Sequence, residues 1–261
     1  LSSGVNQIFS TGSAFAALKD DGSVVSWGYS FSGGDSSSVD LELSSGVNQI
    51  FSNRSAFAAL KDDGSVVSWG SSTRGGDSSS VAADLSSGVN QIFSTSAAFA
   101  ALKDDGSVVS WGLSDEPKGG DSSSVAAELS SGVNQIFSNE IAFAAVKDDG
   151  SVVSWGDSTR GGDSSSVDLE LSSGVNQIFS TGSAFAALKD DGSVVTWGDS
   201  QSGGDSSYNN DLDLSSGVNQ IFSAGGAFAA LKDDGSVVTW GSFSGGDSSS
   251  VDLELSSGVN Q

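Results

Sequence analysis

Three observations predict an all-β fold, a six-bladed β-propeller with three to four antiparallel strands per blade. The phrase LSSGVNQ begins at residues 1, 43, 85, 129, 171, 214 and 255, so the 261-residue chain repeats at intervals of 42, 42, 44, 42, 43 and 41. Every unit places Asp-Gly between two short apolar runs, a strong hairpin signal because glycine takes positive φ without steric cost. No segment shows sustained helical periodicity. A period of this length suits radially packed blades, each burying faces that one blade cannot bury alone. It is long for a β-helix rung and short for an independent domain, which ranks an open solenoid or a linear array below the propeller. The units are 1–42, 43–84, 85–128, 129–170, 171–213 and 214–254, with a partial seventh at 255–261, in a single domain without a linker.

The elements follow in order within each unit. GVNQIFS supplies Val5, Ile8 and Phe9 to a first strand. AFAALK, residues 14–19, is short and apolar and reads as a second. Asp20-Asp21-Gly22 turns the chain, and SVVSWG brings Val24, Val25 and Trp27, types that suit a pleated surface, to a third. A variable loop follows Trp27-Gly28, and GGDSSSVDLE has room for only a short, weak fourth strand. The phrase LSSGVNQ occurs once more than six units need. The longer N-terminal copy, with Ile8 and Phe9, is therefore expected to complete the sixth blade through residues 4–10.

Composition removes whole classes of chemistry. The chain has 33 acidic and 10 basic side chains, a formal net charge of −23. That excess argues against nucleic acid, whose binding rests on neutralising phosphates, and against an anionic membrane surface. With no Cys there is no disulfide or thiolate metal site, and with no His the commonest general base and metal ligand is missing. Ser-His-Asp and Cys-His catalysis are excluded. Six copies of the same polar groups do not supply the one asymmetric constellation that an active site needs, so no enzymatic activity is expected. The longest apolar run, IAFAAV at 141–146, is far too short to cross a bilayer, and no membrane insertion is expected. No signal peptide opens the chain, and Met is absent with Leu1 first, which suggests a piece of something longer or a processed product.

The unit resembles the RCC1-like repeat, whose blade pattern holds a DG hairpin, an aromatic strand and a WG pair. Here those residues are Asp21, Gly22, Trp27 and Gly28, matched in all six units, and the resemblance covers essentially the whole chain. GGDS at 33–36 stands where that family often has a GQLG-like turn. Family repeats often carry His just before the second strand, where this chain has Ala14, Ala56, Ala98, Ala142, Ala184 and Ala227. The namesake chromatin proteins have seven blades and suit nucleosomes and a small GTPase. With six units, no wedge-like insertion and an acidic charge, nucleotide exchange does not carry over. The near-identical Ser/Gly/Asp-rich units look more like bacterial relatives in large secreted or surface proteins, which implies an extracellular or cell-surface setting.

Each repeated polar motif has a functional and a structural interpretation. The Asp pairs at Asp20/Asp21, Asp62/Asp63, Asp104/Asp105, Asp148/Asp149, Asp190/Asp191 and Asp233/Asp234 could serve Ca²⁺, or paired-carboxylate glycoside hydrolysis. The structural alternative, hairpin chemistry with each Lys beside its own turn damping repulsion, is preferred, because adjacent Asp residues on a tight turn seldom face one centre. GGDSSS, with Asp35 and its equivalents as further weak Ca²⁺ candidates, faintly resembles calcium-binding glycine-aspartate turns without their nonapeptide spacing. A tight turn satisfied by Asp35 and Ser36 is the preferred explanation. The six Trp residues, 27, 69, 111, 155, 197 and 240, could stack sugars. Packing between blades is preferred, since burying about 150–250 Å² of each ring at about 25 cal/mol per Å² is worth at most about 4–6 kcal/mol.

The units differ from one another mainly in two loops. The first reads TGS, NRS, TSA, NEI, TGS and AGG from 11, 53, 95, 139, 181 and 224. The second, after WG, reads YSFS, SSTR, LSDEPK, DSTR, DSQS and SFS. If each blade runs up and down through four strands, connections one and three share one end, and the uniform DDG and LSSG connections share the other. The variable face then gathers Tyr29, Phe31, Arg54, Arg74, Leu113, Pro117, Lys118, Glu140, Ile141, Arg160 and Phe243. A non-catalytic structural or interaction scaffold, contacting a protein or glycan through that face, is the expected function. The alternative is an architectural repeat rigidified by Ca²⁺ and used for self-assembly; a carbohydrate-active enzyme ranks last.

Overall fold

A computed structural model describes residues 4–113, 119–206, 212–242, 245–248, 250–251 and 255–256. Its regular structure is eighteen strands and nine short 3-10 turns among the described residues. The strands form six separate three-stranded antiparallel sheets, each meandering in sequence order. They are β1 Val5–Ser10, β2 Ala14–Lys19 and β3 Val24–Gly28; β4 Val47–Ser52, β5 Ala56–Lys61 and β6 Val66–Gly70; β7 Val89–Ser94, β8 Ala98–Lys103 and β9 Val108–Gly112. The same order continues through β10 Val133–Ser138, β11 Ala142–Lys147 and β12 Val152–Gly156; β13 Val175–Ser180, β14 Ala184–Lys189 and β15 Val194–Gly198; β16 Val218–Ser223, β17 Ala227–Lys232 and β18 Val237–Gly241. The chain divides into two compact units, Leu1–Val133 and Asn134–Gln261. No helix among the described residues is long and apolar enough to cross a membrane.

Where sheets meet within a unit their facing sides are buried against each other, and this explains why AFAALK lacks the polar alternation of a half-exposed strand. In the first unit, Ala14, Ala16 and Leu18 on the trailing face of blade 1 pack with Ile50, Phe57, Ala59 and Trp69 on the leading face of blade 2. The same joint recurs between blades 2 and 3. In the second unit it joins blades 4 and 5, and blades 5 and 6. Within each blade the paired Phe and Trp of strands two and three stack, as Phe57 and Trp69 do with ring centroids 5.1 Å apart.

The Asp-Gly hairpin forms as expected. Gly22 has φ of 74°, its N–H donates to Lys19 O at 2.9 Å, and Lys19 N–H donates to Ser23 O at 2.9 Å.

Each blade has three strands, the lower of the three to four expected, and the expected pairing of residues 4–10 with the sixth blade does not form. Among the described residues no fourth strand forms: Ser37–Val39, Ser79–Val81, Ser123–Val125 and Ser165–Val167 are 3-10 turns. Asp35 Oδ1 accepts the Ser37 N–H at 3.0 Å and Ser44 Oγ donates to Leu41 O at 2.7 Å, so short polar side chains hold the backbone in turns that compete with a ladder. Residues 7–10 do not join blade six either. Gln7 pairs with Leu18 and Ser10 with Phe15, in the chain's own first blade. The connection between β1 and β2 is only Thr11–Ser13, and closing so short a loop costs less entropy than closing one across most of the chain.

Candidate functional site

The two variable loops of a repeat meet at one end of its blade because a single side chain joins them. Asn53 Nδ2 donates to Arg74 O at 2.7 Å, and Asn53 Oδ1 accepts the N–H groups of Ser55 and Ala56, both at 2.8 Å. Asn139 makes the same three bonds to Arg160 O, Ile141 N and Ala142 N. Thr11 Oγ1 donates to Ser32 O at 3.0 Å, and Thr181 Oγ1 to Ser202 O at 3.0 Å. The first position of the "variable" loop is thus a latch, filled by Thr or Asn in five repeats and by Ala224 in the sixth. Adjacent first loops are tied as well. In the first unit Gly12 N donates to Arg54 O and Arg54 N to Ser96 O; in the second, Gly182 N donates to Gly225 O.

The opposite end gathers the uniform turns. Val47 N donates to Gly22 O at 3.0 Å, and Asp62 N to Gly46 O at 2.9 Å, so each DDG turn lies against an LSSG turn. Within a repeat the first and second variable loops are thus tied to each other, and the DDG turn to the LSSG turn that follows.

The carboxylates at the DDG end are committed locally and apart. Asp63 Oδ1 accepts Ser65 N–H at 3.0 Å and Ser65 Oγ at 2.6 Å, while Asp62 Oδ1 accepts Asn48 Nδ2 at 3.3 Å. Asp21 is held at a pKa of about 2, first by the Ser23 hydroxyl and then by its N–H. Asp63, Asp105, Asp149, Asp191 and Asp234 are lowered by the equivalent serines. Asp35 is lowered by the Ser37 N–H. No three acidic side chains converge to hold a metal ion among the described residues. Lysine does not mainly serve its own turn: Lys61 Nζ reaches back to Glu42 O at 2.8 Å and Lys103 Nζ to Asp84 O at 2.8 Å. Of these three, Lys19 instead turns to Asp21 Oδ2 at 3.3 Å.

Five of the six tryptophans are interior and Trp27 is half-buried. Trp69, Trp111, Trp155, Trp197 and Trp240 are buried, and Trp69 Nε1 donates to Gly33 O at 3.0 Å across the joint. Trp111, Trp197 and Trp240 donate likewise to Gly75, Gly161 and Gly203. Gly33 can sit there only as glycine: φ is 94° and a Cβ would fall 2.5 Å from the Phe57 ring. GGDSSS is thus a turn that also carries the carbonyl over the next blade's indole, a role sequence reasoning missed. The signal available was the offset of 36 or 37 residues between this Gly-Gly pair and the Trp of the next WG.

Of the residues expected on the variable face, Tyr29 and Phe31 are 58% and 71% exposed, with ring centroids 5.7 Å apart. Arg54, Arg74, Glu140 and Arg160 are exposed, and Leu113 is half-buried. Ile141 is a correction: it is 8% exposed, because its N–H is drawn to Asn139 Oδ1 and its side chain enters the core at the head of β11. Pro117, Lys118 and Phe243 lie outside the described residues.

The fold is that of RCC1-like propeller blades. The chain is similar to yeast RCC1 (Prp20) in its complex with Kap60, at 18% identity and a TM-score of 0.50, covering 91% of this chain and 70% of that one. Prp20p from Saccharomyces cerevisiae, in a structure described with its binding to Gsp1p and histones, gives 18% identity, a TM-score of 0.49, and 91% and 72% coverage. Human WBSCR16 gives 17% identity, a TM-score of 0.46, and 92% and 77% coverage. No family model and no curated protein matches the chain.

Proposed function

We propose that the protein is a non-catalytic scaffold that binds a protein partner through the variable-loop end of its blades, with the extracellular or cell-surface setting belonging to the same proposal. The observation that carries this is the separation of ends. One end repeats the same self-satisfied turns, while the other presents side chains that differ from blade to blade. The exposed pair Tyr29–Phe31 and the guanidinium of Arg74 stand at that end on adjacent blades. Aromatic residues and arginine are the types that dominate binding energy at protein interfaces. The similar yeast RCC1 structure was solved with a protein bound, which accords with an interaction role for the fold. A glycan stacked on Tyr29 and Phe31 is the second ligand class that the exposed rings suit.

The test is a comparison of variants in capture from extracts and on a glycan array. Tyr29→Ala, Phe31→Ala and Arg74→Ala together are expected to cost at least tenfold in partner affinity with melting nearly unchanged. Asp62→Asn with Asp104→Asn is expected to leave binding intact. Loss of binding in the DDG variants alone would reverse the assignment.

A further inference from the structure

The variable end of the first unit is a hydrogen-bonded frame that holds the loops of blades 1 and 2 side by side. Thr11 Oγ1 donates to Ser32 O at 3.0 Å, Gly12 N to Arg54 O at 2.9 Å, and Asn53 Nδ2 to Arg74 O at 2.7 Å. These three bonds run from the loop of Tyr29 and Phe31, through the two first loops, to the loop of Arg74. Phe31, Arg54 and Arg74 are exposed. Exposure at Phe31 is a property of the position, since its counterparts Thr73, Thr159 and Gln201 are exposed as well.

Blade 4 carries the same latch with different charges. Asn139 Nδ2 donates to Arg160 O at 2.7 Å, as Asn53 Nδ2 does to Arg74 O. Glu140 stands in place of Arg54, and Asp157 in place of Ser71. Arg54 and Arg74 thus give the variable loops of blade 2 a charge of +2, whereas Glu140, Asp157 and Arg160 give those of blade 4 a charge of −1. On a chain of net charge −23, blade 2 concentrates two guanidiniums on one latched pair of loops. No carboxylate stands in the variable loops of blades 1 and 2. The acidic residues that follow them, Asp35 and Asp77, accept the N–H groups of Ser37 and Ser79.

We propose that Phe31, Arg54 and Arg74 form a site for an acidic, aromatic-bearing peptide segment of the protein partner, an inference that rests on the proposed role of the variable end and adds the partner's chemistry. A guanidinium presents a planar fork of donors that matches a carboxylate, and two of them on latched loops take neighbouring carboxylates of one segment. The Tyr29 and Phe31 rings, tilted 45° with centroids 5.7 Å apart, make a wedge for an apolar side chain and not the single flat face on which a pyranose stacks. Opposite charge here, and like charge over most of the remaining surface, direct an acidic segment to this one place.

Fluorescence anisotropy with three labelled probes tests this: a random copolymer of glutamate and tyrosine, polyglutamate, and heparin. The copolymer is expected to bind the chain about tenfold more tightly than heparin does. Arg54→Glu with Ser71→Asp gives blade 2 the charges of blade 4, where the same latch forms around them. That exchange is expected to weaken copolymer binding by about tenfold or more with melting unchanged. Phe31→Ser is expected to weaken the copolymer by about threefold and to leave polyglutamate binding as it was. Absence of copolymer binding, equal binding by the charge-exchanged variant, or a preference for heparin each overturns the proposal. The role of the variable end is judged separately by its captured partner. A partner lost with Tyr29→Ala, Phe31→Ala and Arg74→Ala but kept by the charge-exchanged variant leaves that role standing and overturns the acidic segment.

Discussion

At Gly22 the backbone is left-handed, and a Cβ would stand 2.8 Å from Gly46 N. An L-residue pays about 1–2 kcal/mol for that conformation alone, and the contact adds to it. Gly22→Ala is therefore expected to lower unfolding free energy by at least about 1 kcal/mol in a urea titration. The neighbouring Asp21 titrates at about 2 because the Ser23 hydroxyl and N–H favour its charged form. Its unfolded value is about 3.9, so the stability it contributes is present above that pH and fades as pH falls through the folded value. Melting temperature is expected to drop between about pH 4 and pH 2, and the drop is expected to shrink when Ser23 and its five equivalents become Ala. The Asp-Gly signal was legible because glycine's advantage is local. The partners of the two Asp carboxylates were less so: Ser23 lies two residues away, but Asn48 reaches Asp62 from the next strand over.

At the scale of elements, three strands per blade were legible from apolar runs between turn residues. The missing fourth was not, since SSSVDLE has the length of a strand and its conformation is decided by Asp35 and Ser44 bonding nearby backbone. Nor could the partner of β1 be chosen by sequence: every first strand is the same phrase and fits every second strand equally. Loop length decides, and it favours the neighbour. The latch was half legible, since the restriction of one loop position to Thr or Asn is visible among the repeats, but its target on the other loop is not. Asn53→Ala removes the acceptor for two backbone N–H groups and the donor to Arg74 O. It is expected to cost about 1–3 kcal/mol and to raise hydrogen exchange at residues 53–56 and 72–75.

Over the whole molecule the net charge of −23 opposes compactness wherever the carboxylates lie at the surface. Screening relieves that repulsion, so melting temperature is expected to rise with NaCl over the range where the Debye length falls from about 30 Å to about 8 Å. CaCl₂ at matched ionic strength is expected to give the same rise, because Asp62 and Asp63 spend their oxygens on Asn48 and Ser65. An excess shift with calcium, measured by calorimetry, would contradict the assignment of the DDG turns as structural.

The indole and ammonium bonds across the joints within each unit run one way. The indole of Trp69 and the ammonium of Lys61 belong to the later repeat and reach carbonyls, Gly33 and Glu42, that the earlier one has already placed. During synthesis, which delivers the chain from its N-terminus, each emerging repeat meets a finished acceptor surface. Assembly can then proceed vectorially, a blade at a time behind the ribosome. Refolding from denaturant has no such order, and near-identical repeats offer each indole several equivalent glycines. The same uniformity that makes the joints within each unit alike thus makes skipped-repeat pairing the characteristic error of a chain released all at once.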